Sequence, residues 1–182
     1  MHPILPPTAL LEIDFQHWII ESVAGGSAVH RAASVRAELR RAGARVFCTR
    51  YLSLDAADTL RADPAGYGAS FHPELTPAAG DIVLSKYHRD VFDNPDVDTN
   101  LELLGITQVV VTGIATDHGV ELAARAAHRR GYRTSVVADA CAGTSTEAHE
   151  RALDSLAEAG ITVIRDRQTL RWSALQRLAS QS

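Results

Sequence analysis

Short runs rich in β-branched residues recur along this chain, each separated from the next by a helical pattern. That alternation leaves few folds open other than a mostly parallel sheet covered by helices. The strands read as Thr8–Asp14, Arg45–Arg50, Asp81–Lys86, Gln108–Gly113, Arg133–Asp139 and Ile161–Ile164. Between them, a helix starts near Ser27 and runs through Val29, Ala32, Val35 and Leu39 to a stop at Gly43. Others span Asp96–Leu104, Asp117–Arg130 and Thr146–Ala159, closed by Gly105, Gly131 and Gly160, and Gln168–Leu178 reads as a last amphipathic helix. Strands so uniformly apolar are buried on both faces, as in a doubly wound sheet.

The stretch 51–80 breaks this rhythm. It is long for a connection inside a compact domain and carries Pro64, Gly66, Gly68, Pro73 and Pro77. Such a loop is expected to be a lid or an interface arm, with room for a short helix near Asp55–Arg61. A length of 182 residues suits one domain, 1–182. A formal charge of −4 gives no basic footprint for nucleic acid. No apolar run approaches the roughly 18 residues of a spanning helix, and Met1–Pro7 lacks the basic start of a signal peptide. Cys48 and Cys141 have neither disulfide-framework nor metal-like spacing. These features suit a cytoplasmic protein with no membrane partner, and the expectation set beside them is a small-molecule substrate with no cofactor and no metal.

In open α/β sheets, ligands bind beyond the carboxyl ends of the strands, where the strand order reverses. Asp14 ends the first strand, Lys86 the third and Asp139 the fifth, and Gly113–Gly119 links the fourth to its helix. Lys86 is the only lysine among seventeen arginines. A lysine chosen where every other basic position is arginine suggests a need for a compact amine. An acid and an amine at neighbouring strand ends can form a buried ion pair, although a carboxylate ending a strand also serves as an ordinary turn residue. The loop 113–119 offers backbone N–H groups to an anion. Thr116 and Asp117 are explained equally well as helix caps. Gly119 is not, because glycine in a first helical turn costs about 1 kcal/mol against alanine, so it implies close packing or space for a ligand.

Taken together, four segments resemble the isochorismatase-like hydrolase superfamily. They are Ala9–Gln16, Ser85–Phe92, Val111–Val120, and Gly131–Arg133 continuing through Asp139–Cys141. The resemblance implies a three-layer, Rossmann-like α/β/α fold with a six-stranded, mostly parallel sheet, and a homodimer or higher oligomer. The family's usual triad is Asp, Lys and a nucleophilic Cys. Asp14 and Lys86 match the first two, while the Cys position falls on Gly119. The family's cis peptide would fall between Ala115 and Thr116. The Asp-x-His metal pattern of nicotinamidase-like relatives is missing, since strand two ends Thr49-Arg50-Tyr51.

Amide cleavage through a thioester needs a thiolate, which no backbone atom replaces. Isochorismatases also carry glycine at this position and hydrolyse a vinyl ether without a covalent nucleophile. By that resemblance Asp14 is the general acid and must hold its proton near neutrality. Lys86 hydrogen-bonds Asp14, and Gly119 leaves space for the ligand. Phe15, Gln16, Arg89, Phe92, Ala115, Thr116 and His118 complete the expected substrate-binding set. Trp18 and Tyr87 could line an apolar pocket with the two phenylalanines; ordinary core packing is the other reading of each, and a surface ion pair that of Arg89. His118 either activates water or occupies a variable helix position. The Thr116-Asp117 version of the loop looks more like the cysteine-using amidases. Two further expectations therefore stand beside the vinyl ether: amide or lactam hydrolysis by activated water, and an inactive homologue that binds a metabolite or a protein.

Overall fold

The computed structural model describes residues 6–165. Six strands form one sheet in the order β3-β2-β1-β4-β5-β6, and every neighbouring pair is parallel. They are β1 (Thr8–Ile13), β2 (Arg45–Tyr51), β3 (Ile82–Lys86), β4 (Gln108–Ile114), β5 (Arg133–Ala142) and β6 (Thr162–Ile164). The helices are α1 (His17–Ser22), α2 (Gly26–Arg41), α3 (Pro95–Leu103), α4 (Glu121–Arg129) and α5 (Thr146–Glu158). The expected tail helix, 168–178, lies outside the described residues. Among those residues no helix is long and apolar enough to cross a membrane.

Side-chain alternation divides the interior into two cores. Ala9, Leu11 and Ile13 of β1 pack with Leu101 of α3, the alanines of α4 and Leu153 and Leu156 of α5. Leu10 points the other way, toward Val29, Val35 and Leu39 of α2. Strand order reverses between β1 and β4, so the crevice at their carboxyl ends is the switch point of the sheet.

Several local expectations are corrected. β5 runs three residues past Asp139, whose carboxylate lies 3.9 Å from Arg31 on α2 rather than at a strand end. The helix expected from Asp117 begins as a separate turn, Thr116–Val120, broken at His118 (φ −132°, ψ −106°), before α4 proper. No helix forms at 55–61. Asp55 and Asp58 instead accept hydrogen bonds from the backbone N–H groups of Ala57, Leu60 and Arg61, which holds the chain in turns. The helix α1 has no counterpart among the expected elements, being only six residues long and uncapped by any side chain.

A buried ion pair invisible to the strand pattern ties the loop 52–80 to the core. Glu12 shares the α2 side of β1 with Leu10, and both its oxygens accept from Arg36 Nε at 2.9 and 3.0 Å. Arg36 also donates to the carbonyls of Leu75 and Thr76. Its side chain is 6% exposed and that of Glu12 2%. Arg36→Met is expected to strand the carboxylate and both carbonyls, costing about 3–5 kcal/mol. Urea unfolding with an unchanged slope and a lowered midpoint would report that loss.

Candidate active site

The first residue past β1, Asp14, turns into the left-handed region (φ 54°), which aspartate tolerates better than most side chains. Beside it β4 comes unusually near. A Cβ on Gly113 (φ 145°) would lie 2.4 Å from the Ile13 carbonyl oxygen, so only glycine permits that approach. The turn aims the Asp14 carboxylate at Lys86, which ends β3 opposite Tyr51 and reaches past the end of β2. Lys86 Nζ donates to Asp14 Oδ2 at 2.6 Å and to the Arg89 carbonyl at 2.8 Å. The Thr49 hydroxyl donates to Asp14 Oδ1 at 2.7 Å and accepts from the Asp14 N–H at 3.2 Å. Asp14 and Lys86 are each 2% exposed.

Both groups line one cavity of about 240 Å³, as does Gly119. A Cβ built on Gly119 would lie 3.1 Å from Lys86 Nζ and 3.6 Å from Asp14 Oδ2. The position therefore looks straight at the acid–amine pair. Ala115, His118 and Arg89 also line the cavity. The cis peptide is Ile114–Ala115, one bond earlier than the resemblance implied.

The remaining candidates lie elsewhere. Phe15 and Phe92 sit in the two cores, Phe92 under the Arg130 guanidinium at 4.3 Å, and neither lines the cavity. Gln16 is fully buried as a brace: its amide donates to the carbonyls of Ala69 and Tyr51 and accepts from the Tyr51 N–H. Thr116 is also fully buried, with its hydroxyl 2.7 Å from His149 Nδ1. Asp117 accepts from both the N–H and the hydroxyl of Thr144, fixing the loop after β5 against the loop after β4. Burial opposes the Asp117 charge, but those two bonds, with its own backbone N–H and the neighbouring His118, together hold the carboxyl below its ordinary range.

Sequence reasoning missed Thr49, Tyr51 and His149, and also Ile19, Ser22 and Val23, which line the cavity beside Trp18 from α1 and the residue after it. Parallel pairing of Glu12 with Cys48 places Thr49 one residue further on, beside the start of Asp14. That register was the available signal for Thr49. Neither cysteine faces the cavity. Burial pushes the Cys141 thiol up to about 12. Burial and the Glu12 carboxylate push Cys48 higher still.

The isochorismatase domain profile matches residues 8–168. The chain belongs to the isochorismatase family. The uncharacterised isochorismatase family protein YwoC of Bacillus subtilis is 33% identical over 157 residues, 80% of this chain and 83% of its own. The nicotinamidase/pyrazinamidase of Mycobacterium tuberculosis is 30% identical over 181 residues, covering 86% of this chain and 97% of its own. An isochorismatase-like hydrolase from Alkaliphilus metalliredigens superposes with a TM-score of 0.80 at 23% identity, over 91% of this chain and 96% of that one. The family is one of hydrolases, and this chain has its six-stranded parallel sheet.

The residues at the end of β2 do not fit the metal of nicotinamidase-like relatives. Thr49 is committed to Asp14, Tyr51 presents an aromatic ring, and the Arg61 guanidinium lies 4.9 Å from the centre of that ring. Among the described residues, no three His, Cys, Asp or Glu side chains gather as a metal would need.

The Thr116–His149 contact makes the loop pH-sensitive. Burial holds the His149 imidazole below the ordinary histidine range; Arg165 pushes the same way, and Glu150 and Asp117 oppose it. A histidine depressed on folding contributes stability above its unfolded value of about 6.5 and loses it as pH falls through the folded value. His149→Gln is therefore expected to flatten the fall in melting temperature below about pH 6.5. Parallel slopes for the two proteins would refute this.

Proposed function

We propose that the chain hydrolyses a small carboxylated metabolite without a covalent enzyme intermediate, a vinyl ether of the isochorismate kind being the leading substrate class. One observation carries this reading: Gly119 leaves open the volume beside the Asp14–Lys86 pair. Asp14 protonates the terminal enol-ether carbon, the C=C electron pair forming the new C–H bond. Lys86, in contact with Asp14 Oδ2, stabilises the carboxylate left behind. Water adds to the oxocarbenium ion and returns a proton to Asp14. The resulting hemiketal collapses to pyruvate and a cyclic alcohol.

Arg89 supports the carboxylate anchor. It is exposed at the cavity lining, and its guanidinium can fork onto a carboxylate. Arg89→Ala is expected to raise KM about tenfold or more while leaving kcat nearly unchanged, as loss of a charge-assisted contact made equally in ground and transition states. The direct test is incubation of pure protein with isochorismate while following pyruvate. Absence of turnover would reject the vinyl-ether reading.

A second reading has its own support. Both Asp14 oxygens accept hydrogen bonds, the acceptor-only pattern of an ionised carboxylate. In that state Asp14 is a base that activates water toward an amide or lactam. The amidase named among the relatives suits this alternative, and a panel of small amides separates it from the first. A homologue that binds a metabolite without converting it would give thermal stabilisation and no product on either panel.

A further inference from the structure

We propose that Arg61, on the connection between β2 and β3, is a positioning residue of the site. It acts by holding the aromatic wall formed by Trp18 and Tyr51. The inference rests on the cavity described above being the working site, but on neither choice of substrate.

Trp18 from α1 and Tyr51 from β2 both line the cavity, with ring centres 6.2 Å apart and planes tilted by 52°. The Arg61 guanidinium lies 5.4 Å from the Trp18 ring centre and 4.9 Å from that of Tyr51, within the range in which a cation is attracted to an aromatic face. Arg61 does not itself line the cavity. Lys86 Nζ stands 5.2 Å from the Tyr51 ring, so one aromatic side chain lies within reach of both the catalytic amine and this guanidinium. Whatever fixes Tyr51 also fixes part of the surroundings of Lys86.

Two features show why this wall needs a holder. The Trp18 indole N–H is buried and has no hydrogen-bond partner among the described residues, so no polar contact of the side chain sets the angle of the ring. Arg61, by contrast, is tethered. Its Nε donates to Asp58 Oδ2 at 2.6 Å, its N–H donates to Asp58 Oδ1, and its carbonyl accepts from the Ser53 N–H. Asp58 also receives the Leu60 N–H, so one carboxylate closes the turn and orients the guanidinium. An isolated surface ion pair of this kind contributes little to stability. Its consequence here is to point a cation at two rings.

The test uses Trp18 emission in a Trp172→Phe background, with acrylamide as the quencher. Arg61→Met keeps length and loses charge; it is expected to raise the quenching constant at least about twofold, and Arg61→Lys to recover most of the difference, since an ammonium still attracts the rings. On whichever vinyl ether or amide proves to be turned over, Arg61→Met is expected to raise KM about fivefold with kcat within about twofold, because the Asp14–Lys86 pair is untouched. If Arg61→Met does not fold, Asp58→Asn loosens the same guanidinium and is expected to shift quenching in the same direction. Equal quenching in parent and Arg61→Met overturns the assignment, as does failure of Arg61→Lys to recover. The fluorescence result needs no turnover, so failure of the proposed chemistry leaves it standing.

Discussion

Asp14→Asn is expected to lower turnover of any substrate of this site by about a hundred- to ten-thousandfold, the range attributed to a positioned acid or base. The loss follows from geometry. Among the described residues Asp14 is the one carboxylate of the cavity lining, and both its oxygens are held, one by Thr49 and one by Lys86. Asparagine can keep one acceptor but can neither give nor take the proton. Stability should respond in a different pattern. Lys86→Met leaves a carboxylate buried without its cation and is expected to cost about 3–5 kcal/mol, whereas the double variant Asp14→Asn/Lys86→Met removes both charges and should recover much of that loss. Activity should not recover in the double variant. Urea midpoints for the four proteins, read beside their turnover, check both halves. If the double variant is as unstable as Lys86→Met, the pair is a structural brace rather than a site kept for chemistry.

The fold was legible because its signal is repetitive. A parallel sheet buried on both faces needs uninterrupted apolar strands, and Val109-Val110-Val111 or Thr134-Ser135-Val136-Val137 can hardly be read otherwise. Asp14 and Lys86 were legible for the same reason, since each stands where such a run stops. What escaped was polar and non-local. Glu12 interrupts the first apolar run in plain view, yet its partner Arg36 is 24 residues away, set into the same helix face as Val29, Ala32 and Leu39 with no local sign that it is paired. Thr49 and Tyr51 gain their roles only through register with β1 and β3. Phe15 and Phe92 have the chemistry of a pocket lining, but core packing satisfies it equally well, and the structure places them in the core. The limit of β5 was misplaced because Ala140 and Cys141 carry no stop signal, and Asp139 resembled one.

Gly119→Cys is the substitution with the most distinctive expected outcome. The new Cβ would meet Lys86 Nζ and Ile13 Cγ2 at 3.1 Å each. The first is the end of a flexible side chain, and the second is a methyl group that must yield by a few tenths of an ångström. Gly119 has no left-handed backbone to protect, so the fold should survive. The sulfur would enter a cavity beside the Lys86 ammonium group, which favours the thiolate, and beside the Asp14 carboxyl, which opposes it when ionised. With the amine nearer the new Cβ (3.1 against 3.6 Å), the thiol is expected to fall below its usual value of about 8.5. The parent protein supplies a silent background. Cys48 and Cys141 are buried and their thiols are pushed far up, so native protein at neutral pH should show no fast-reacting thiol. The variant should show one, and adding Lys86→Met should slow its alkylation by about tenfold or more, as the stabilising cation is lost. Vinyl-ether turnover should fall as the ligand's space fills, while a newly gained amidase activity would mean that the rest of a thioester route is already in place. If the thiol introduced by Gly119→Cys reacts no faster than a free thiol, with Lys86 present or absent, then this glycine does not face the acid–amine pair, and the proposed chemistry loses its support.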